Sequence, residues 1–190
     1  MADGRLCPLF SLDPNEARSL LEGFLETEAR AIEKMRIDAR RDGLETDFGV
    51  ESLPPLKRWA LRQLKTVPQL PDPSLPTWIT KTEDYHRILF DFDDPSKIVV
   101  LRFAYYMGEC FVRNFADLLW SVGDVDTALK NIPVVSGFRG GLEMPPMLVA
   151  ENLFRRMLKG DADGNVMLPS GDGLTMLITT PAPHVQIRAP

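Results

Sequence analysis

The segment Ser96–Trp120, SKIVVLRFAYYMGECFVRNFADLLW, constrains this chain most, because it is the longest apolar-rich stretch in the sequence. Drawn as a helix, it places Val99, Phe103, Tyr106 and Cys110 on one side and Leu101, Ala104, Gly108, Val112 and Phe115 on the other. A helix apolar nearly all round has to be covered on several sides, so the other elements must assemble around it. Arg102, Glu109 and Arg113 interrupt it, and it falls short of the ~20 apolar residues of a membrane span. Gly108 costs roughly 1 kcal/mol of helix propensity against alanine, which points to close packing with a neighbour. Glu109 and Arg113 stand one turn apart in the favourable order for an ion pair. Ser96, after the break at Asp93-Asp94-Pro95, is the expected N-cap, and Asn114 marks the expected end.

Upstream, Asp13-Pro14 reads as an N-cap and a first-turn proline. Ala17, Leu21, Phe24, Ile32, Met35 and Ala39 then recur at helical spacing up to a stop at Gly43. The opposite face is crowded with Glu and Arg, Glu26 and Arg30 among them, so a long amphipathic helix lying on the domain is expected. Thr46–Ser52 reads as a short extended piece or turn, with Ser52 capping a helix that Pro54 and Pro55 open. Leu56, Trp59, Ala60 and Leu64 give that helix its apolar face, and Lys57, Arg58 and Arg62 its solvated one. Pro68, Pro71, Pro73 and Pro76 make the stretch of about 67–77 an internal loop. Tyr85, Ile88, Leu89 and Phe92 fit a short helix, although ILFDFD also alternates as a strand.

Downstream the period changes. Leu118, Trp120 and Val122 alternate as a strand, Ile132–Val135 reads as a second, and Gly137, Gly140 and Gly141 mark a turn. Pro145-Pro146 opens a helix whose Leu148, Leu153, Phe154, Met157 and Leu158 form a stripe, closed by Gly160. Two further strands are expected at Val166–Leu168 and Leu174–Thr179, between turns at Asp163-Gly164-Asn165 and Gly171-Asp172-Gly173. The tail of about 181–190 reads as extended or disordered. These readings sum to one α+β domain over 1–190, with a long N-terminal helix and a buried central helix packed with a small, mostly antiparallel sheet.

A formal charge of −5 argues against binding a nucleic-acid backbone and suits a soluble, cytoplasmic protein or one that meets a basic partner. Cys7 and Cys110 are too far apart in character to suggest a disulfide framework. His86 and His184 sit in no ligand spacing, so no metal site and no cofactor is expected. Asp161, Asp163 and Asn165 occupy the first three ligand positions of a calcium loop. Val166 and Asp172 stand where glycine and glutamate belong, and a hairpin turn explains the same residues. Neither a nucleophile elbow nor a phosphate-cradling glycine loop occurs, and Cys110 in a buried helix reads as an inert thiol. Glu109 is the one candidate catalytic carboxylate, weighed against a structural pairing with Arg113. Asp91, Asp93, Asp94, Asp124 and Asp126 are candidate contacts for a basic protein, weighed against ordinary turn chemistry.

Four stretches together carry a family likeness: Gly49-Val50-Glu51-Ser52-Leu53-Pro54-Pro55-Leu56, then Tyr106-Met107-Gly108-Glu109, then Trp120, then the proline-opened helix ending at Leu158. The chain from about Leu44 to Leu158 resembles a diffuse group of small bacterial α+β proteins, some of them immunity-type proteins encoded beside secreted toxins. The Pro-rich insertion departs from a compact version of that pattern. The resemblance implies a non-catalytic protein that binds a partner, with Gly108, Glu109, Arg113 and Trp120 structural. Its acidity would suit a basic toxin. Two alternatives stay open: a hydrolase or ligand-binding enzyme with a pocket around Glu109, and an adaptor that dimerises through its N-terminal helix.

Overall fold

Helix α1 spans Pro14–Arg41 and is fixed at both ends by its own sequence. Asp13 and Glu16 form a capping box: the Asp13 carboxylate accepts from the amides of Asn15 and Glu16, and the Glu16 carboxylate from that of Asp13. At the far end Gly43 adopts φ +79°, and the amides of Leu44 and Gly43 reach back to the carbonyls of Ala39 and Arg40. This is the double hydrogen bond that a left-handed glycine permits. The computed structural model describes residues 13–68, 90–124, 126–127 and 129–159, and the strand backbone at 167–168 and 176–177. The expected turns at 161–165 and 171–173, the helical reading of 82–89, the loop over 69–77, both histidines, Cys7 and the tail lie outside the described residues.

A 3₁₀ turn at Val50–Ser52 leads into α2, Leu53–Leu61. Strand β1, Thr66–Pro68, pairs antiparallel with β2, Phe90–Phe92, in the register Thr66 with Phe92. The alternating pattern therefore prevails over the helical one at 90–92, because β1 supplies a ladder that no local spacing could reveal. Helix α3, Asp94–Asn114, is the expected central helix. Strands β3, Leu119–Val122, and β4, Pro133–Ser136, form a hairpin in which Trp120 faces Val135. Met144 bridges the other side of Val135 before α4, Pro146–Leu158. Strands β5, Met167–Leu168, and β6, Met176–Leu177, pair antiparallel. The class is thus α+β, with the strands in separate two-stranded ladders rather than one sheet.

The core forms around α3. Phe103, Tyr106, Met107 and Cys110 are fully buried and meet α1 through Met35 and Ala39, α2 through Leu56 and Trp59, and α4 through Leu153 and Phe154. Phe103 and Phe154 meet edge to face at 5.1 Å. Arg155 of α4 reaches β2, donating to the Phe90 carbonyl at 2.6 Å and pairing with Asp91 at 3.1 Å.

Four local expectations need correction. Asp93, not Ser96, caps α3: its carboxylate accepts the Ser96 amide at 2.9 Å, while the Ser96 hydroxyl accepts the Lys65 amide and anchors the β1 approach. Ser52 precedes α2 without a side-chain capping bond, because its hydroxyl instead donates to the Gly49 carbonyl and meets the Tyr106 hydroxyl at 2.7 Å. Lys57 is buried rather than solvating α2, and burial, with Arg58 beside it, pushes its ammonium below the usual lysine range. Leu148 and Leu158 are exposed, since the buried stripe of α4 runs through Ala150, Leu153 and Phe154.

Candidate functional site

The Tyr-x-Gly-Glu…Trp pattern closes into one spatial unit where α1, α3 and β3 meet. Gly108 lies under the Trp120 indole so closely that a Cβ there would stand 2.3 Å from the ring carbons Cη2 and Cζ2. The indole meets Phe24 of α1 edge to face, ring centroids 5.3 Å apart, and Phe24 also tilts against Tyr105 at 4.5 Å. Its N–H points at Glu109 Oε2, 3.4 Å away. Glu109 Oε1 takes the Arg113 Nε at 2.6 Å, and the Glu109 side chain keeps 19% of its exposure.

The residue that sequence reasoning missed is Glu28. It belongs to none of the site residues expected from the sequence, yet it is buried, and its Oε1 has no hydrogen-bond partner. The signal was present: Glu28 stands four residues from both Phe24 and Ile32, on the apolar stripe itself. Burial, reinforced by the negative charge of Glu109, raises its pKa to about 8, against the opposing pull of Arg113 and a hydrogen bond from Trp120. Burial raises the Tyr105 phenol, and the negative charge of Glu28 once ionised raises it further. The site therefore holds a carboxyl kept protonated at neutral pH beside a second carboxyl engaged by arginine and indole.

Arg113 links this cluster to a second one. Its guanidinium lies 3.8 Å from the centroid of the Phe48 ring, which also stacks on Tyr106 at 5.0 Å. Phe48 holds φ +66°, a left-handed backbone unusual for a bulky residue. Its amide donates to the Tyr106 hydroxyl at 2.9 Å, and its carbonyl accepts from Asn114 Nδ2 at 2.7 Å, so α3 grips this strained point on both sides.

The five aspartates are employed variously and fall into two groups. Asp91, Asp93 and Asp94 gather at the N-terminus of α3, whereas Asp124 and Asp126 lie beyond β3, whose Trp120 packs on Gly108 in the C-terminal half of that helix. Asp91 pairs with Lys97 and Arg155, and the Lys97 contact holds its carboxyl below the usual range. Asp93 caps α3, and Asp124 caps the Asp126 amide. Asp94, with a side chain 95% exposed, and Asp126 face outward. At the turn after α3, Phe115 and Leu119 are exposed, 43% and 54%, beside the Gly137 turn that fits against the Asp117 carbonyl.

Cys110 is buried beneath this assembly, and burial lifts its thiol to about 12, far from a nucleophilic thiolate. Among the described residues no group of three or more His, Cys, Asp or Glu could hold a metal ion, and no helix is long and apolar enough to cross a membrane. An open depression of about 430 Å³ lies between the C-terminal ends of α1 and α2, away from Glu109, lined by Asp38, Arg41, Asp42, Trp59, Arg62 and Gln63. Comparison with known proteins finds no matching family model, no matching curated protein and no matching solved structure.

Proposed function

We propose that this is a non-catalytic protein-binding protein, most specifically a bacterial immunity protein that neutralises a cognate toxin by direct binding. What supports the reading is where the signature points its polar groups. Glu109 is engaged by Arg113 and Trp120, Gly108 is covered by the indole, and Tyr106 binds Phe48 and Ser52. The conspicuous motif thus orders the fold, and the turn after α3 presents Phe115 and Leu119 as apolar anchors, while Asp94 at the other end of α3 and Asp126 beyond β3 are separate outward charges. A basic toxin fits the net charge of −5. The test is co-expression with the product of the reading frame adjacent to this gene. Co-purification and protection of cells are expected, with Leu119→Asp weakening binding about tenfold or more. A neighbouring product that neither co-purifies nor is neutralised sinks the proposal.

One observation favours a second reading. Glu28, whose pKa burial raises to about 8, lies within electrostatic range of Glu109, and two carboxyls with different environments are the set that acid–base hydrolysis draws on. On that reading Glu109→Gln, still folded, loses a hydrolytic activity of the wild type; unchanged turnover in the variant rejects it.

A further inference from the structure

We propose that Glu28 is a proton-dependent latch: its protonated carboxyl fastens the Phe24–Ile32 stretch of α1 to α3 and the β3–β4 hairpin, and the fastening weakens as pH rises. The geometry carries this. Glu28 is 7% exposed at the crossing of three elements, and its Oε1 has no donor to stabilise a negative charge. The groups facing it are Tyr105, Glu109 and Arg113 from α3 and the Trp120 indole from β3. Only Arg113 is cationic, and that guanidinium is already engaged with Glu109 and the Phe48 ring. An ionised Glu28 would thus add a second negative charge close enough to feel that of Glu109. The surrounding packing, Phe24 against Trp120 and Tyr105, is what any loosening would open.

The linkage has a definite sign. Glu28 holds its proton in the closed state up to a pKa of about 8, and releases it on opening, where the ordinary value of 4.5 applies. The opening constant of this stretch therefore rises about tenfold per pH unit across that window and levels off above it. The neighbours tune the end of the rise: removing the Glu109 charge lowers the pH at which it levels, and removing that of Arg113 raises it.

Amide hydrogen exchange of the full chain, corrected for intrinsic rates, tests this across the range between those two values. In the wild type, peptides from 21–32 lose protection with rising pH while those from α4 change far less. Glu28→Gln, an isosteric neutral variant, makes the 21–32 profile flat, and Glu109→Gln moves its plateau to lower pH. A flat wild-type profile overturns the proposal, as does a Glu28→Gln profile with the wild-type slope. Should Glu28→Gln not fold, the opposite plateau shifts of Glu109→Gln and Arg113→Gln decide, and shifts in any other direction overturn it.

Discussion

Gly108→Ala tests most directly whether the signature is a packing unit. In an unencumbered helix the change stabilises by roughly 1 kcal/mol. Here the new Cβ would lie 2.3 Å from Cη2 and Cζ2 of Trp120 and 3.2 Å from Cγ of Pro146. Carbon atoms in contact settle near ~3.5–4.0 Å, so the indole edge must retreat by more than about 1 Å. Its movement is restrained by the Phe24 ring in edge contact with it and by the N–H directed at Glu109. Overpacking of this kind costs about 1–3 kcal/mol, and a rigid, braced ring belongs near the upper end. The expected net effect is a destabilisation of about 2 kcal/mol, a fall in melting temperature of roughly 4–8 °C for a chain of this size. Urea denaturation followed by far-UV circular dichroism measures it. The reasoning makes a second, opposite claim: in a Trp120→Leu background the clash is gone, and alanine at 108 becomes neutral or stabilising. A Gly108→Ala single variant more stable than the wild type would refute the argument.

Two further outcomes follow from the same geometry. Because Glu28 binds a proton more tightly folded than unfolded, its stability contribution is complete below about pH 4.5 and is lost as pH rises to about 8. The slope is at most about 1.4 kcal/mol per pH unit, a few kcal/mol in all after solvent screening, and Glu28→Gln should remove it from denaturation curves taken at successive pH values. At Phe48, alanine loses the buried ring and keeps the φ of +66°, at a cost of about 3–5 kcal/mol. Glycine loses the same ring but relieves about 1 kcal/mol of backbone strain, so Phe48→Gly should unfold at higher urea than Phe48→Ala, the reverse of the usual order.

Much of the candidate site was legible in local spacing. The Glu109–Arg113 pair and the tight packing at Gly108 both follow from positions one turn apart on a helix or from a costly glycine inside one. That the neighbour of Gly108 is Trp120 came only from the fold, although both belong to the pattern. Glu28 was harder, since a glutamate in an amphipathic helix ordinarily faces water and only the stripe through Phe24 and Ile32 spoke against that. Lys57 misled for the same reason, being counted with Arg58 and Arg62 although α2 packs on that side too.

The sequence by itself determined where the helices lie and several of their ends: the capping box at Asp13, the left-handed Gly43, the prolines that open α2 and α4, and the apolar girth that puts α3 at the centre. Those are local effects, set by hydrogen bonds within a few residues and by periodicity. Only the tertiary structure decided that Ser52 and Ser96 bond across the fold instead of capping, and that Phe90–Phe92 pairs with Thr66–Pro68 as a strand. It likewise brought Glu28 and Glu109 from two helices under one indole. These depend on which distant groups are brought within hydrogen-bond or Coulomb range, and on how much water is excluded when they meet. No spacing along a single element contains that information.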